Sequence, residues 1–167
     1  MLKTSKALAI AALTIGALSC SIPAASASTS QGYIAGSGAV TDDFGDEGIL
    51  SQTSYANSGA TALWQAILYG DGFSVTVDGQ FGPQTAAATK SWQSAHGLSA
   101  DGVVGPNTWA KAQSHLRISY TNSTYEGVEY KDLSYGWVFP RALSNGAYSV
   151  VCNSGKTPIA SYTSNGC

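Results

Sequence analysis

Apolar side chains in the middle of the chain recur at helical spacing. Trp64, Ile67 and Leu68 fall on one side of a helix, which is the pattern of an amphipathic element packed on a core. Ser58 can cap the start of this helix, and Gly70 can close its end. The pattern therefore predicts a first helix from about residue 59 to 69.

Two further helices are predicted downstream, and each begins at a Gly-Pro pair. The second follows Pro83, carries Trp92 on its apolar side and ends at Gly97, because proline suits a first helical position and glycine an end. The third is short, from Pro106 to about Gln113. Three short helices with three tryptophans make a small core.

From Arg117 onward the pattern changes to short runs of β-branched and aromatic residues separated by Asn and Gly. These runs predict four or five short strands. Asn145-Gly146 is a strong hairpin signal, and Pro140 must lie at a strand end or on an edge strand, because it has no N–H. We predict an α+β protein, with a helical domain at 58–116 and a β-rich segment at 117–167. The runs are 118–120, 128–130, 137–139 and 148–151.

An eight-residue sequence occurs twice in the helical part, at 78–85 and at 101–108, and five of its eight positions are identical. Such a repeat indicates one structural device used twice. Asp-Gly favours a turn, so we predict that Asp78 and Asp101 fold over the helix starts and accept N–H bonds there. The repeated positions are Asp78, Gly79, Gly82, Pro83 and Thr85, then Asp101, Gly102, Gly105, Pro106 and Thr108.

Together with Trp-Gln pairs at 64–65 and 92–93, these repeats closely resemble the peptidoglycan-binding domain found beside many bacterial cell-wall hydrolases. That family has a Leu-Gln helix, a DGxFGPxT turn, an Ala-Val-x-x-Phe-Gln helix, a Gly-Leu and a DGxxGPxTW sequence. Trp64 and Trp92 stand where Leu and Phe are usual. The resemblance covers 58–112 and implies a three-helix fold and peptidoglycan recognition. The layout also resembles small secreted actinobacterial wall-binding proteins.

Residues 1–27 have the pattern of a secretory signal peptide. An apolar run follows two lysines, and Ala25-Ser26-Ala27 fits a cleavage site before Ser28. The mature protein is therefore expected to be secreted, either extracellular or associated with the cell wall. The alternative, a lipoprotein anchored through Cys20, has a poor match in the residues before that cysteine.

Charge narrows the range of partners. Cleavage leaves 6 basic residues of the 8 against 10 acidic ones, without a basic stripe, which argues against nucleic acid. A second apolar stretch or a polybasic segment for a membrane is also missing from the sequence. Residues 28–57 are acidic and rich in glycine, which predicts a flexible spacer. The alternative is that their scattered apolar side chains dock on the helical domain.

Two cysteines remain after cleavage, Cys152 and Cys167. An even number in an oxidising compartment predicts a disulfide. Closing the loop of about 15 residues between these cysteines stabilises a fold by roughly 3 kcal/mol in the chain-entropy model. The alternative is a single reactive thiol.

Residue types suited to catalysis are sparse. His96 and His115 lack companion ligands, so no metal or cofactor is predicted, and both are expected at wet helix ends. Glycan cleavage needs two carboxylates beside the bond, for which Glu126, Glu129 and Asp132 are the candidates. Solvated turn acids are the plainer interpretation.

Tyrosines recur every five residues at 120, 125, 130 and 135. Their rings could form a platform for sugars. A spacing of five fits neither a helix nor a strand, so the four cannot share one face of one regular element. Ordinary, half-buried strand tyrosines are the expectation.

The resulting hypothesis is a non-catalytic protein that binds the glycan strands and stem peptides of peptidoglycan. Helix starts offer N–H groups to stem-peptide carboxylates, provided that the repeated aspartates do not fill them. The alternatives are a small wall hydrolase whose catalytic carboxylate lies in 117–167, and a wall-anchored module that binds or inhibits a protein. The candidate ligand residues are Tyr69, Phe73 and Phe81 for stacking and Gln80, Gln84 and Asn107 for hydrogen bonding.

Overall fold

The computed structural model describes residues 29–130 and 137–167. Its helices are α1 (Gly59–Gly70), α2 (Pro83–Ala95) and α3 (Pro106–Gln113), which confirms the three predicted helices. Ser58 is the N-cap of α1, and its hydroxyl accepts the N–H of Thr61 at 3.0 Å. The predicted signal peptide at 1–27 lies outside the described residues.

An antiparallel sheet follows the helices, with β1 (Leu116–Thr121), β2 (Tyr125–Tyr130) and β3 (Val138–Ala142) in the order β1-β2-β3. The chain is thus α+β, as predicted. Pro140 lies in β3, an edge strand of this sheet. Gly146 takes a φ of +72° and its N–H bonds to the carbonyl of Ala142, so the Asn-Gly turn is confirmed.

The last predicted strand, 148–151, does not form a ladder. Tyr148 and Ser149 make only single bridges, to Arg141 and to Ile159 respectively. The described residues therefore contain three strands rather than four or five. Tyr148 and Val150 are nevertheless buried. The alternate side chains of the run pack into the core, although its backbone does not pair along a neighbouring strand.

Three tryptophans form the centre of the helical part, which confirms the small tryptophan core predicted from the sequence. Trp64 is fully buried between Trp92 and Trp109, with ring centroids 5.1 and 5.6 Å away in edge-to-face geometry. Each indole N–H has an acceptor, on Thr89, Asp71 and the carbonyl of Gly48. Buried indoles are stable when this donor is satisfied.

Residues 29–57 differ from the predicted flexible spacer, because they pack against the rest of the molecule. Ile34, Phe44 and Leu50 are fully buried, and the Phe44 ring contacts the rings of Trp109 and Tyr148 at 5.3 Å. The alternative, docking of the scattered apolar residues, describes the structure. The buried residues of this segment belong to the same core cluster as those of the three helices, so the segment completes the core.

The predicted disulfide between Cys152 and Cys167 is present, with Cα atoms 5.5 Å apart. The tail that it tethers covers the start of α1. The N–H of Gly59 bonds to the carbonyl of Ser164, and that of Ala60 bonds to the carbonyl of Ser161. None of the helices in the described residues is long and apolar enough to cross a membrane.

Candidate functional site

The first repeated loop is organised by the side chain of Gln65, which projects from α1. Its amide nitrogen donates to the carboxylate of Asp78 at 2.9 Å, to the carbonyl of Gln80 at 3.0 Å and to the hydroxyl of Thr85 at 3.0 Å. Its amide oxygen accepts the N–H groups of Asp78 and Gly79. One buried glutamine thus holds both ends of the loop to the preceding helix.

Gln93 performs the same role in the second loop. Its amide nitrogen donates to Asp101 at 2.8 Å, to the carbonyl of Val103 at 2.9 Å and to Thr108 at 3.1 Å. Its oxygen accepts the N–H of Gly102 at 2.9 Å. The first glycine of each copy, Gly79 or Gly102, has positive φ, +73° and +78° respectively, which turns its N–H toward the glutamine.

The prediction that the two aspartates cap the following helices is wrong. The N-caps of α2 and α3 are Gly82 and Gly105, and neither helix start receives a side-chain cap bond. Asp78 instead accepts the N–H of Gln80 two residues on. Each carboxylate stays within its own turn, because the glutamine amide holds it there.

Asp101 has the corresponding bond in the second copy. It accepts the N–H of Val103 at 2.9 Å, and this bond, with that from Gln93, lowers the pKa of the Asp101 carboxyl. The sequence signal for this arrangement was the doubled Trp-Gln pair. It indicated a repeated contact but not the partner of the glutamine.

Removing either glutamine should therefore destabilise the protein, whatever the effect on binding. Gln65→Ala leaves the N–H groups of Asp78 and Gly79 without their side-chain acceptor, and Gln93→Ala does the same to the N–H of Gly102. A cost of about 1–3 kcal/mol is typical for a buried polar group that loses its partner. Urea unfolding measures the loss, with the exposed Gln84→Ala as the matched control. Equal stability of all three variants would contradict the role assigned to these amides.

The fourth position of each loop is tied to the N-terminal segment. The N–H of Phe81 bonds to the carbonyl of Ala56 at 2.7 Å, and that of Val104 bonds to the carbonyl of Leu50 at 2.9 Å. Both side chains point into the core, and Phe81 is only 3% exposed. Phe81 therefore offers no ring face to a sugar, unlike the stacking role predicted for it.

The other predicted ligand residues lie nearer the surface. Tyr69 is 40% exposed, and its ring meets that of Trp137 edge to face at 5.6 Å. Phe73 is half-buried, and Gln84 donates to the carbonyl of the adjacent Ser74 at 3.1 Å. The structure thus brings Gln84 beside the 73–74 backbone. Gln80 and Asn107 are exposed on the first loop and on α3 respectively.

The two loops differ in what covers them. In the first, the Asn165 amide donates to the carbonyl of Asp78 at 2.8 Å and lies where a Cβ on Gly79 would be. In the second, the equivalent Gly102 lies against the aliphatic stem of Lys90. The disulfide-tethered tail is therefore specific to the first copy.

The two histidines lie at or just beyond helix ends, as predicted, but they are partly buried rather than fully in water. His96 stacks on Trp92 with ring centroids 4.0 Å apart, and its Nδ1 is 2.8 Å from the carbonyl of Trp92. The His115 ring lies 5.6 Å from that of His96. No group of three His, Cys, Asp or Glu side chains in the described part of the chain could hold a metal ion.

The candidate carboxylates of the β-rich segment are engaged with arginines. Glu126 accepts from Arg141 at 3.0 Å, and Glu129 accepts from Arg117 at 3.0 Å. The two glutamates are three residues apart in one strand, so they lie on opposite faces of the sheet. They cannot flank one glycosidic bond. Asp132 lies outside the described residues.

Comparisons with known proteins agree with the sequence resemblance. Residues 58–112 match a family described as "Putative peptidoglycan binding domain". The zinc D-Ala-D-Ala carboxypeptidase of Streptomyces albus G is 55% identical over 42 residues, which are 25% of this chain and 16% of that protein. The N-acetylmuramoyl-L-alanine amidase CwlL of Bacillus licheniformis is 51% identical over 41 residues, 25% of this chain and 11% of that protein.

An uncharacterised protein of Kitasatospora aureofaciens is 60% identical over 35 residues, 21% of this chain and 30% of that protein. The chain thus spans less than a third of the length of each of these relatives. The search of solved structures found no match. Residues 58–112, which contain the two glutamine-centred loops, are therefore the part of the chain that matches the peptidoglycan-binding family.

Proposed function

We propose that this protein is a secreted, non-catalytic protein that binds peptidoglycan through its helical domain. The observation that carries the proposal is that both repeated loops keep the complete glutamine-centred network within the region matching the family. Two intact copies of an elaborate loop support a role as a binding scaffold. The localisation to the wall or the extracellular space rests on the signal-peptide pattern.

The exposed side chains around the loops suit both components of the polymer. The Tyr69–Trp137 pair offers apolar ring surface to sugar C–H groups. The amides of Gln80, Gln84 and Asn107 suit hydroxyl and N-acetyl groups. The starts of α2 and α3 lack a side-chain cap, which supports an approach by stem-peptide carboxylates.

The activities in the names of the carboxypeptidase and amidase relatives describe much longer proteins. The region that this chain shares with them is the one that resembles a binding domain. The geometry of the β-rich segment favours binding over hydrolysis for this chain, because Glu126 and Glu129 are paired with arginines on opposite faces of β2. A wall-anchored module that binds a protein is the remaining alternative.

Co-sedimentation with purified cell-wall sacculi tests the proposal. The oxidised protein without its predicted signal peptide is expected to pellet, while the supernatant gains no reducing sugar ends and no free amines. Tyr69→Ala should weaken pelleting, and Ile159→Ala, which truncates an exposed side chain elsewhere, should not. Release of sugar ends or amines would establish a hydrolase. If the protein does not pellet and releases no products, the domain binds another partner and the proposal is wrong.

A further inference from the structure

The face of the sheet that points away from the core carries two of the four regularly spaced tyrosines. The register pairs Tyr120 with Gly127 across β1 and β2, and Tyr125 with Ala142 across β2 and β3. Tyr130 is fully buried on the opposite face, and Tyr135 lies outside the described residues. The four tyrosines therefore do not act as one set, and the first two must be considered alone.

Tyr120 lies flat on the sheet because its partner has no side chain. A Cβ built on Gly127 would stand 2.2 Å from the Tyr120 Cε1 atom and 2.6 Å from its Cζ atom. The ring thus occupies the space of the missing side chain and covers the backbone of β2. One ring face is used in this contact, and the residue remains 46% exposed, so the other ring face is turned to solvent.

Groups beside this ring supply hydrogen bonds and no net charge. The Tyr125 ring meets it edge to face at 6.1 Å. Arg117 and Glu129 pair at 2.7 Å one step along the same face. The Arg117 side chain is exposed and that of Glu129 is half-buried, and both can also bond to hydroxyl groups. An ion pair that neutralises itself does not favour an anionic or a cationic partner. It suits a neutral partner rich in hydroxyl groups.

We infer that this sheet face, formed by Tyr120, Tyr125, Arg117 and Glu129, binds an uncharged sugar ring of a glycan strand. Sugar C–H groups lie on the free face of Tyr120, and the ring hydroxyls bond to the Arg117–Glu129 pair. The ring is already held by Gly127, so little side-chain entropy is lost on binding. The site lies outside the helical domain and gives the chain a second contact with the wall polymer. The inference rests on the proposed function for the identity of the biological ligand, but its test does not depend on that function.

Titration with the uncharged tetramer of N-acetylglucosamine, followed by NMR and calorimetry, tests the inference on the oxidised protein. The wild type is expected to show shifts at Tyr120 and Gly127. Tyr120→Ala should weaken binding about tenfold, as loss of one stacked ring implies, whereas Tyr120→Phe keeps the ring and most of the affinity. Leu143→Ala, which truncates a side chain that is 49% exposed in the cleft beside Arg141, is the matched control.

Gly127→Ala provides a variant that leaves Tyr120 in place. The added methyl group displaces the ring from the strand, so tetramer binding should fall by a similar factor while the urea midpoint changes little. Adding Tyr120→Ala to Gly127→Ala should then cause no further loss. A lower affinity with additive effects of the two changes would contradict the assigned role of the glycine.

The outcomes separate this inference from the proposed function. If the wild type pellets with sacculi but the tetramer shifts no residue of the sheet face, the inference is overturned and wall binding stands. Loss of tetramer binding in Leu143→Ala but not in Tyr120→Ala would assign the sugar to the cleft instead. Tetramer binding that requires Tyr120, without pelleting, would support this site and overturn the proposed role of the helical domain.

Discussion

Replacing Arg141 with alanine is expected to destabilise the fold by about 3–5 kcal/mol, the typical loss when one partner of a buried ion pair is removed. The guanidinium is only 5% exposed. It donates to Asp43 at 2.7 Å, to the carbonyl of Gly38 at 2.9 Å and to Glu126 at 3.0 Å. One side chain thus joins the N-terminal segment to two strands of the sheet.

The loss is large because Asp43 cannot reach water when the arginine is gone. Burial raises the pKa of the Asp43 carboxyl, while Tyr148 and Arg141 act in the opposite direction. Its Oδ1 atom is buried without a hydrogen-bond partner. Without the guanidinium, the carboxylate must either take up a proton or expose the segment that covers it, and both reduce the free energy of unfolding at neutral pH.

The sheet offers a matched control for this experiment. Arg117 also pairs with a glutamate, but its side chain is 52% exposed, and an exposed ion pair contributes only about 0–1 kcal/mol. Urea unfolding at pH 7 should therefore show a much larger loss for Arg141→Ala than for Arg117→Ala. Similar losses in the two variants would mean that the buried cluster does not join the segment to the sheet.

A second large effect is expected from pH, through Glu47. Burial raises the pKa of this carboxyl from 4.5 to about 8, although it accepts hydrogen bonds from Tyr162 and from the N–H of Ala35. Between these values the folded protein holds a proton that the unfolded chain releases. The stabilisation is complete below pH 4.5 and is lost as the pH rises to about 8. A shift of this size corresponds to on the order of 5 kcal/mol.

Glu47→Gln checks this expectation because the amide is a neutral isostere of the protonated acid. The variant should lose most of the pH dependence of the urea midpoint between pH 5 and 8, with the remainder due to Asp43, whose pKa is also raised. Asp46→Asn removes the same charge from the exposed neighbouring residue and should keep the slope. A wild-type midpoint that rises with pH over this window would contradict the buried, protonated state.

Much of the helical domain could be predicted from the sequence, because the residues that begin and end its helices act on their near neighbours in the chain. Ser58 caps α1 by accepting the N–H of a residue only three positions along the chain, and each Gly-Pro pair supplies the N-cap and the first residue of a helix. The apolar spacing of Trp64 and Trp92 placed both in the core. The roles of Asp78 and Asp101 were missed because their partners, Gln65 and Gln93, are 13 and 8 residues away and belong to the preceding helix.

The N-terminal segment shows why composition alone misled. Acidic residues and glycines are typical of a flexible spacer, yet two of its acids are buried. Asp43 meets Arg141 across 98 residues, and Glu47 meets Tyr162 across 115. Such partners are brought together only when the sheet and the tethered tail close over the helices, so a local pattern cannot indicate them.

By itself, the sequence determined the α+β class, the three helices, the repeated loops, the disulfide and the resemblance to a peptidoglycan-binding domain. Periodicity and turn residues indicate local structure, and the even number of cysteines indicates the disulfide. Tertiary structure alone decided that 29–57 completes the core, that glutamines hold the repeated loops, and that Tyr120 lies flat on Gly127. Each of these depends on contacts between elements distant along the chain. Their geometry is set by packing and burial rather than by the preferences of neighbouring residues.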